Sequence, residues 1–182
     1  MSGTSSSVKD PFEYHVARVL LLVVAFSPTA RSKLDGLTKI AKLDFLLRYP
    51  VYLERLFELR ETPLPPELRP SLNERQGLES AMIRYKYGPW DDRYYPVIGR
   101  LIGQALAEPV PGKGAVALRA TTAGKDLAAR LGEEDWSVVL GRAEALKSHL
   151  DLSGSTLKQL IYESFPDVID RPLRSLIDEV PA

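Results

Sequence analysis

The sequence predicts a mainly helical fold that carries one small β-hairpin. Apolar residues recur at helical spacing through most of the chain, and prolines and capping residues cut that pattern into helix-length pieces. One stretch near residue 115 instead alternates with a period of two, beside a glycine-rich turn.

Residues 1–9 are expected to form a disordered tail, since MSGTSSS is small and polar. A first helix is predicted from Asp10, with Pro11 in its first turn, to Phe26, where Ser27-Pro28 stops it. Its residues Val16, Val19, Leu20, Leu22, Val23, Val24 and Phe26 surround nearly the whole helix, so it is either central in a core or half of a subunit interface. A second helix is expected from Lys33 to Arg48, with Leu37, Ile40, Ala41 and Leu47 inward and Lys39 and Lys42 pointing away. Tyr49-Pro50 closes it, and a third runs from Val51 to Arg60. Four prolines between Thr62 and Pro70 make a rigid connector, and a further helix is expected over Asn73–Ile83.

In MIRYKYGPWDD (Met82–Asp92), Gly88-Pro89 reads as a turn, and Asp91 or Asp92 caps the next helix. That helix places Tyr94, Ile98, Leu101, Ile102 and Ala105 on one face, and Arg93, Pro96, Arg100 and Gln104 on the other. Two strands, Leu106–Val110 and Ala115–Thr121, flank a Pro111-Gly112-Lys113-Gly114 turn, and Thr121 or Thr122 caps a helix to Leu131. Helix, helix, turn, helix, hairpin, helix is the winged-helix arrangement. The expected organisation is therefore a winged-helix domain at 10–132 and a C-terminal helical extension at 133–182, running through Trp136, Leu140, Leu160, Ile161 and Leu176.

Composition narrows the function. The chain has 182 residues, enough for one domain with its own core. It contains no cysteine, which removes disulfides, thiolate metal sites and cysteine nucleophiles and fits a cytoplasmic location. Lys+Arg and Asp+Glu stand at 24 each, so any nucleic-acid contact has to rest on a local patch. The most apolar run, Val16–Phe26, is interrupted by Arg18 and is too short to span a membrane. Asp10, Glu13 and His15 before it argue against a signal peptide.

Reactive constellations are sparse. His15 and His149 lie far apart without metal-ligand spacing, so no metal or cofactor is expected. Gly112-Lys113 and Gly124-Lys125 lack the rest of a phosphate loop, no GxSxG elbow occurs, and Glu133-Glu134 sits in a polar stretch. No catalytic residue is assigned. The most unusual feature is Asp44 with Arg48 at i,i+4, both within an apolar arc. An aspartate there has to be paired, as a structural ion pair extending to Arg84 or the Tyr85 and Tyr87 hydroxyls, or as a charged lock to a partner. Between Arg84 and Arg119 six cations (Arg84, Lys86, Arg93, Arg100, Lys113 and Arg119) face three carboxylates, a local excess of three. With Gln104 they are the candidate nucleic-acid or partner contacts, and the bland alternative is a solvated face. Tyr85, Tyr87, Trp90, Tyr94 and Tyr95 crowd into eleven residues and read as a core corner with one or two rings exposed. Stacking of single-stranded bases is the weaker reading, because no flat β-sheet platform is evident.

Four segments carry a resemblance: LTKIAKLDFLLRYP (Leu37–Pro50), MIRYKYGPWDDRYY (Met82–Tyr95), LRATTAGKDLAARL (Leu118–Leu131) and STLKQLIYESFP (Ser155–Pro166). In this order they resemble the middle-component proteins of bacterial ABC-three-component anti-phage systems, which are related to Lamassu-type defence. The core Tyr87, Gly88, Pro89, Trp90 and Asp91 is the specific part, whereas TTAGKDLA is generic for helices after a wing. The resemblance implies a small non-enzymatic subunit beside an SMC/Rad50-like ATPase and, often, an effector subunit; double-stranded DNA is a further candidate partner on the strength of the cationic residues, and no membrane is expected. The competing expectation is a dimeric winged-helix regulator that reads bases with Arg93, Arg100 and Gln104 and phosphates with Lys113 and Arg119.

Overall fold

A computed structural model describes residues 11–76, 82–86, 88–112 and 116–177. Helix α1 (Pro11–Phe26) is central. Val19, Leu20, Leu21, Leu22, Val23 and Phe26 are all buried, and burial of each such side chain stabilises the fold by about 1.5–3 kcal/mol. An apolar circumference has to be covered on every side. Helices α2 (Leu37–Arg48), α5 (Tyr94–Gly103), α6 (Thr122–Gly132) and α7 (Ser137–Leu150) cover it, so α1 is core. Ser27 ends it by donating its hydroxyl to the Val23 carbonyl while accepting the Ala120 amide at 2.9 Å.

Strand β1 (Leu34–Asp35) precedes α2, and the second helix begins at Leu37, later than the expected Lys33. Leu34 and Asp35 pair with Leu118 and Ala117, and Gly36 at φ 94° turns the chain into the helix. Next come α3 (Pro50–Leu59), a 3-10 turn (Pro66–Leu68) and α4 (Leu72–Gln76). Ser71 and Glu74 form a capping box at the start of α4: the Glu74 amide donates to Ser71 Oγ and the Ser71 amide to the Glu74 carboxylate.

The helix expected over Asn73–Ile83 is corrected. Its first part is the short α4 and its end is strand β2 (Met82–Tyr85), with residues 77–81 outside those described. Gly88-Pro89 is likewise not the turn. It opens strand β3 (Gly88–Trp90), and the register Tyr85↔Gly88 places the reversal before it, with Lys86 in a turn; Tyr87 lies outside the described residues. Strand β6 (Leu176–Ile177) pairs with Met82 and Ile83, so Leu176 is in a sheet rather than a helix. The tertiary partner wins over local pattern here.

Strands β4 (Ala107–Pro109) and β5 (Ala117–Ala120) form the expected hairpin, and with β1 they make an antiparallel sheet in the order β1-β5-β4. Thr121 caps α6 through the Gly124 amide at 3.0 Å. Helix α7 lies along α1, and α8 (Gly154–Ser164) along α2, followed by α9 (Pro166–Ile169). Leu146, Leu150, Leu157 and Ile161 from this half share one core with α1 and α2. That packing overturns the outward placement of Lys39 and Lys42, which are both buried. Lys39 reaches Asp151 at 2.6 Å, and Lys42 donates to the Pro89 carbonyl at 3.2 Å. Ile102 and Ala105 leave the expected inner face of α5: Ile102 is exposed, and Ala105 adopts a left-handed turn (φ 54°) beyond the helix.

Candidate functional site: a buried ionic network beneath an aromatic surface

Two layers meet around α5. The inner layer is centred on Asp44, whose side chain is 0% exposed. Arg18 of α1 holds it through Nε at 2.5 Å and Nη2 at 3.3 Å, Arg48 Nε lies at 3.1 Å, and the Tyr94 hydroxyl donates to it at 2.7 Å. Burial alone would raise the Asp44 pKa, but the Arg18 and Arg48 charges and the two hydrogen bonds hold it below the usual carboxylate range. Arg48 passes the network on to Asp91 at 2.6 Å. Arg93 closes it, clamping Asp91 with Nε at 2.8 Å, Nη2 at 2.6 Å and its own amide at 2.9 Å. Burial opposes ionisation of Asp91, and the Arg93 hydrogen bond and the Arg48 charge overcome it.

His15 completes the layer. Its Nδ1 lies 2.8 Å from Arg18 Nη2 and 3.4 Å from Arg48 Nη2. Both neighbours are donors only, so Nδ1 accepts and the imidazole is neutral. Burial and then the Arg18 and Arg48 charges push its pKa down to about 4.

The sequence singled out Asp44 and Arg48, and they are joined as expected at i,i+4. Their further partners differ from the expectation. Arg84 is turned away, donating through Nε to the Ile169 carbonyl at 2.7 Å, and Tyr85 stacks on Trp90. The real partners are Arg18 and Tyr94, 26 and 50 positions from Asp44. The signal for Arg18 was present: a lone guanidinium in an otherwise apolar helix has to find a buried counter-charge. Asp91 of the YGPWD stretch is the link that connects that motif to the core.

The outer layer is a surface. Trp90 sits between Tyr85 (38% exposed) and Tyr95 (63% exposed), its ring 5.6 and 6.4 Å from theirs. Tyr85 and Trp90 lie on the open side of the antiparallel sheet β3-β2-β6, with Tyr95 of α5 against the Trp90 ring, and the other side of the sheet, with Met82 and Ile177, is buried. The register also brings the exposed Leu176 to the open side. A small antiparallel sheet, not expected from the sequence, thus underlies Tyr85 and Trp90.

The candidate cations divide. Arg93 is committed to Asp91. Arg100 is 45% exposed, pairs with Glu13 at 2.9 Å and lies over the Phe12 ring. Arg119 faces Glu108 at 3.6 Å across the hairpin. Lys86 and Gln104 are exposed, and Lys113 lies outside the described residues. Among the described residues, no group of three or more His, Asp or Glu is placed to hold a metal, and no helix is long and apolar enough to cross a membrane.

No family model, curated protein or solved structure matches the chain.

Proposed function

We propose that this chain is a non-enzymatic binding subunit that docks on a partner protein through the Tyr85–Trp90–Tyr95 surface. The partner suggested by the resemblance is an SMC/Rad50-like ATPase of a defence complex that includes an effector subunit. The exposed aromatic row carries the reading. Tyrosine and tryptophan bring large contact area at low entropic cost and dominate interface energetics, whereas a solvated face has no reason to gather them. The inner layer supports binding over catalysis. His15, the natural acid–base residue, has its lone pair occupied by two guanidiniums, and both carboxylates are held ionised by arginines.

A winged-helix core is part of the proposal. The order α1-β1-α2, then α5-β4-β5-α6, with sheet order β1-β5-β4, supports it. The segment between α2 and α5 is then an insertion that contributes β2 and β3 to the docking surface. In this reading Arg100 and Gln104 on α5, with the hairpin, give a secondary contact to duplex DNA. The dimeric regulator remains the second reading, favoured by the exposure of those same two residues.

The test is co-purification with the ATPase. Tyr95→Ala combined with Leu176→Asp, both at exposed positions, should leave a folded chain and weaken the complex at least tenfold. Tight, sequence-selective binding of duplex DNA by the chain alone would overturn this reading in favour of the regulator.

A further inference from the structure

A cavity of about 40 Å³ lies between α1, α2, α4 and α7, away from the aromatic surface. Three guanidiniums, Arg18, Arg48 and Arg142, line it against one carboxylate, Glu74, with Leu47, Val139 and the Tyr14 ring, over which Arg18 lies at 5.6 Å, as the other walls. Arg18, Arg48 and Arg142 are almost completely buried. Arg142 grips Glu74 at 2.7 and 3.1 Å and the Arg69 carbonyl at 3.3 Å.

Among the described residues, four guanidiniums, Arg18, Arg48, Arg93 and Arg142, stand with three carboxylates, Asp44, Asp91 and Glu74, in one network whose most exposed members, Arg93 and Glu74, are each about one third exposed. The hydrogen bonds do not close. Among the described residues Arg18 Nη1 and Arg142 Nε, both buried, have no acceptor. A buried charged donor left without a partner is costly, yet here two of them belong to side chains that line one cavity, from helices far apart in sequence.

We propose that this cavity binds the carboxylate group of a small organic acid. A planar oxyanion supplies one negative charge and the acceptors these two N–H groups lack, and it matches the fork of a guanidinium. Size sets the class. A cavity of about 40 Å³ exceeds the roughly 10–15 Å³ needed for one water and suits the three heavy atoms of a carboxylate better than the five of a phosphate. Leu47 and Val139 face the hydrocarbon part of the acid.

The experiment titrates the full chain with ¹³C-labelled acetate, read by line broadening, alongside thermal unfolding at fixed ionic strength. Acetate should bind saturably and raise Tm, and inorganic phosphate at equal ionic strength should not. Val139→Phe fills the cavity from its apolar wall and leaves every arginine in place, so it should stay folded and lose at least tenfold in acetate affinity. Arg142→Lys keeps the charge, removes Nε–H and should weaken acetate in the same direction. Absence of saturable binding, an equal response to phosphate, or undiminished binding by folded Val139→Phe would each overturn the proposal.

Discussion

Arg18 and Arg100 both hold a carboxylate within 3 Å, and the two contacts differ almost entirely in consequence. Arg18 and Asp44 are sealed between helices at 2% and 0% exposure, whereas Arg100 and Glu13 are each nearly half in water. Coulomb attraction is similar in form, but water screens the outer pair and competes for its hydrogen bonds. Inside, neither partner can return to solvent without unfolding the site. Similar distances thus describe a fixed structural centre in one place and an exchangeable contact in the other. A partner can take Arg100 from Glu13 at little cost but cannot take Arg18 from Asp44.

The sharpest way to break this contrast is to delete one carboxylate from each pair. Asp44→Ala leaves Arg18 and Arg48 facing each other without their shared counter-charge and orphans the Tyr94 hydroxyl. The expected loss is about 3–5 kcal/mol, the range for breaking a buried pair. Glu13→Ala should cost less than about 1 kcal/mol. Urea denaturation of both variants measures the difference, and equal losses would refute the distinction between the two layers.

Acid separates the layers next. The His15 pKa is about 4 in the folded state and 6.5 for an unperturbed histidine, so between those pH values the unfolded chain binds the extra proton. Stability contributed by neutral His15 is complete above pH 6.5 and is lost as pH falls towards 4, by about 3 kcal/mol at 1.36 kcal/mol per pKa unit. His15→Gln keeps an acceptor for the two arginines and does not titrate. It should flatten the slope between pH 6.5 and 4 while leaving the steeper loss below pH 4, where the depressed carboxylates Asp44 and Asp91 protonate. A wild-type slope in His15→Gln would show that another group carries it.

The same division explains what could be read from the residues alone. Helix α1 was legible because a helix apolar on all sides has few places to go, and the β4–β5 hairpin because its second strand alternates beside a glycine-rich turn. Asp44 and Arg48 were legible because i,i+4 partners meet on any helix. Strand β2 was not. Its first two residues pair with β6, more than ninety positions away, and its last three with β3, whose Gly88-Pro89 reads locally as a turn rather than a strand. Lys39 and Lys42 misled for a related reason. Their apolar stems let them lie under neighbouring elements while only the ammonium needs a partner, here Asp151 and the Pro89 carbonyl. Lys42 is buried deeply enough that its pKa falls to about 7, a cost no helical wheel displays.

Two glycines give the next and finer comparison. Gly124 opens α6 where a Cβ would stand 2.0 Å from the Leu106 carbonyl oxygen, so the helix and the hairpin would have to separate. Gly124→Ala should cost about 1–3 kcal/mol, in the range of overpacking, and disorder the β4–β5 hairpin; unchanged stability would show that the two elements slide freely.

Gly99 is the opposite case and the smallest effect. It lies on the exposed side of α5, one residue before Arg100, with nothing within 4 Å of a Cβ. An interior helical glycine costs roughly 0.5–1 kcal/mol relative to alanine, so Gly99→Ala should stabilise the free chain by that amount. The substitution also sharpens the docking proposal. Tyr95 lies one turn before Gly99 on the same side of the helix, and a partner that seats closely on this face would meet the new methyl group. A more stable chain with weakened assembly would place α5 inside the interface. A more stable chain that assembles normally would confine the contact to the open face of the β3-β2-β6 sheet.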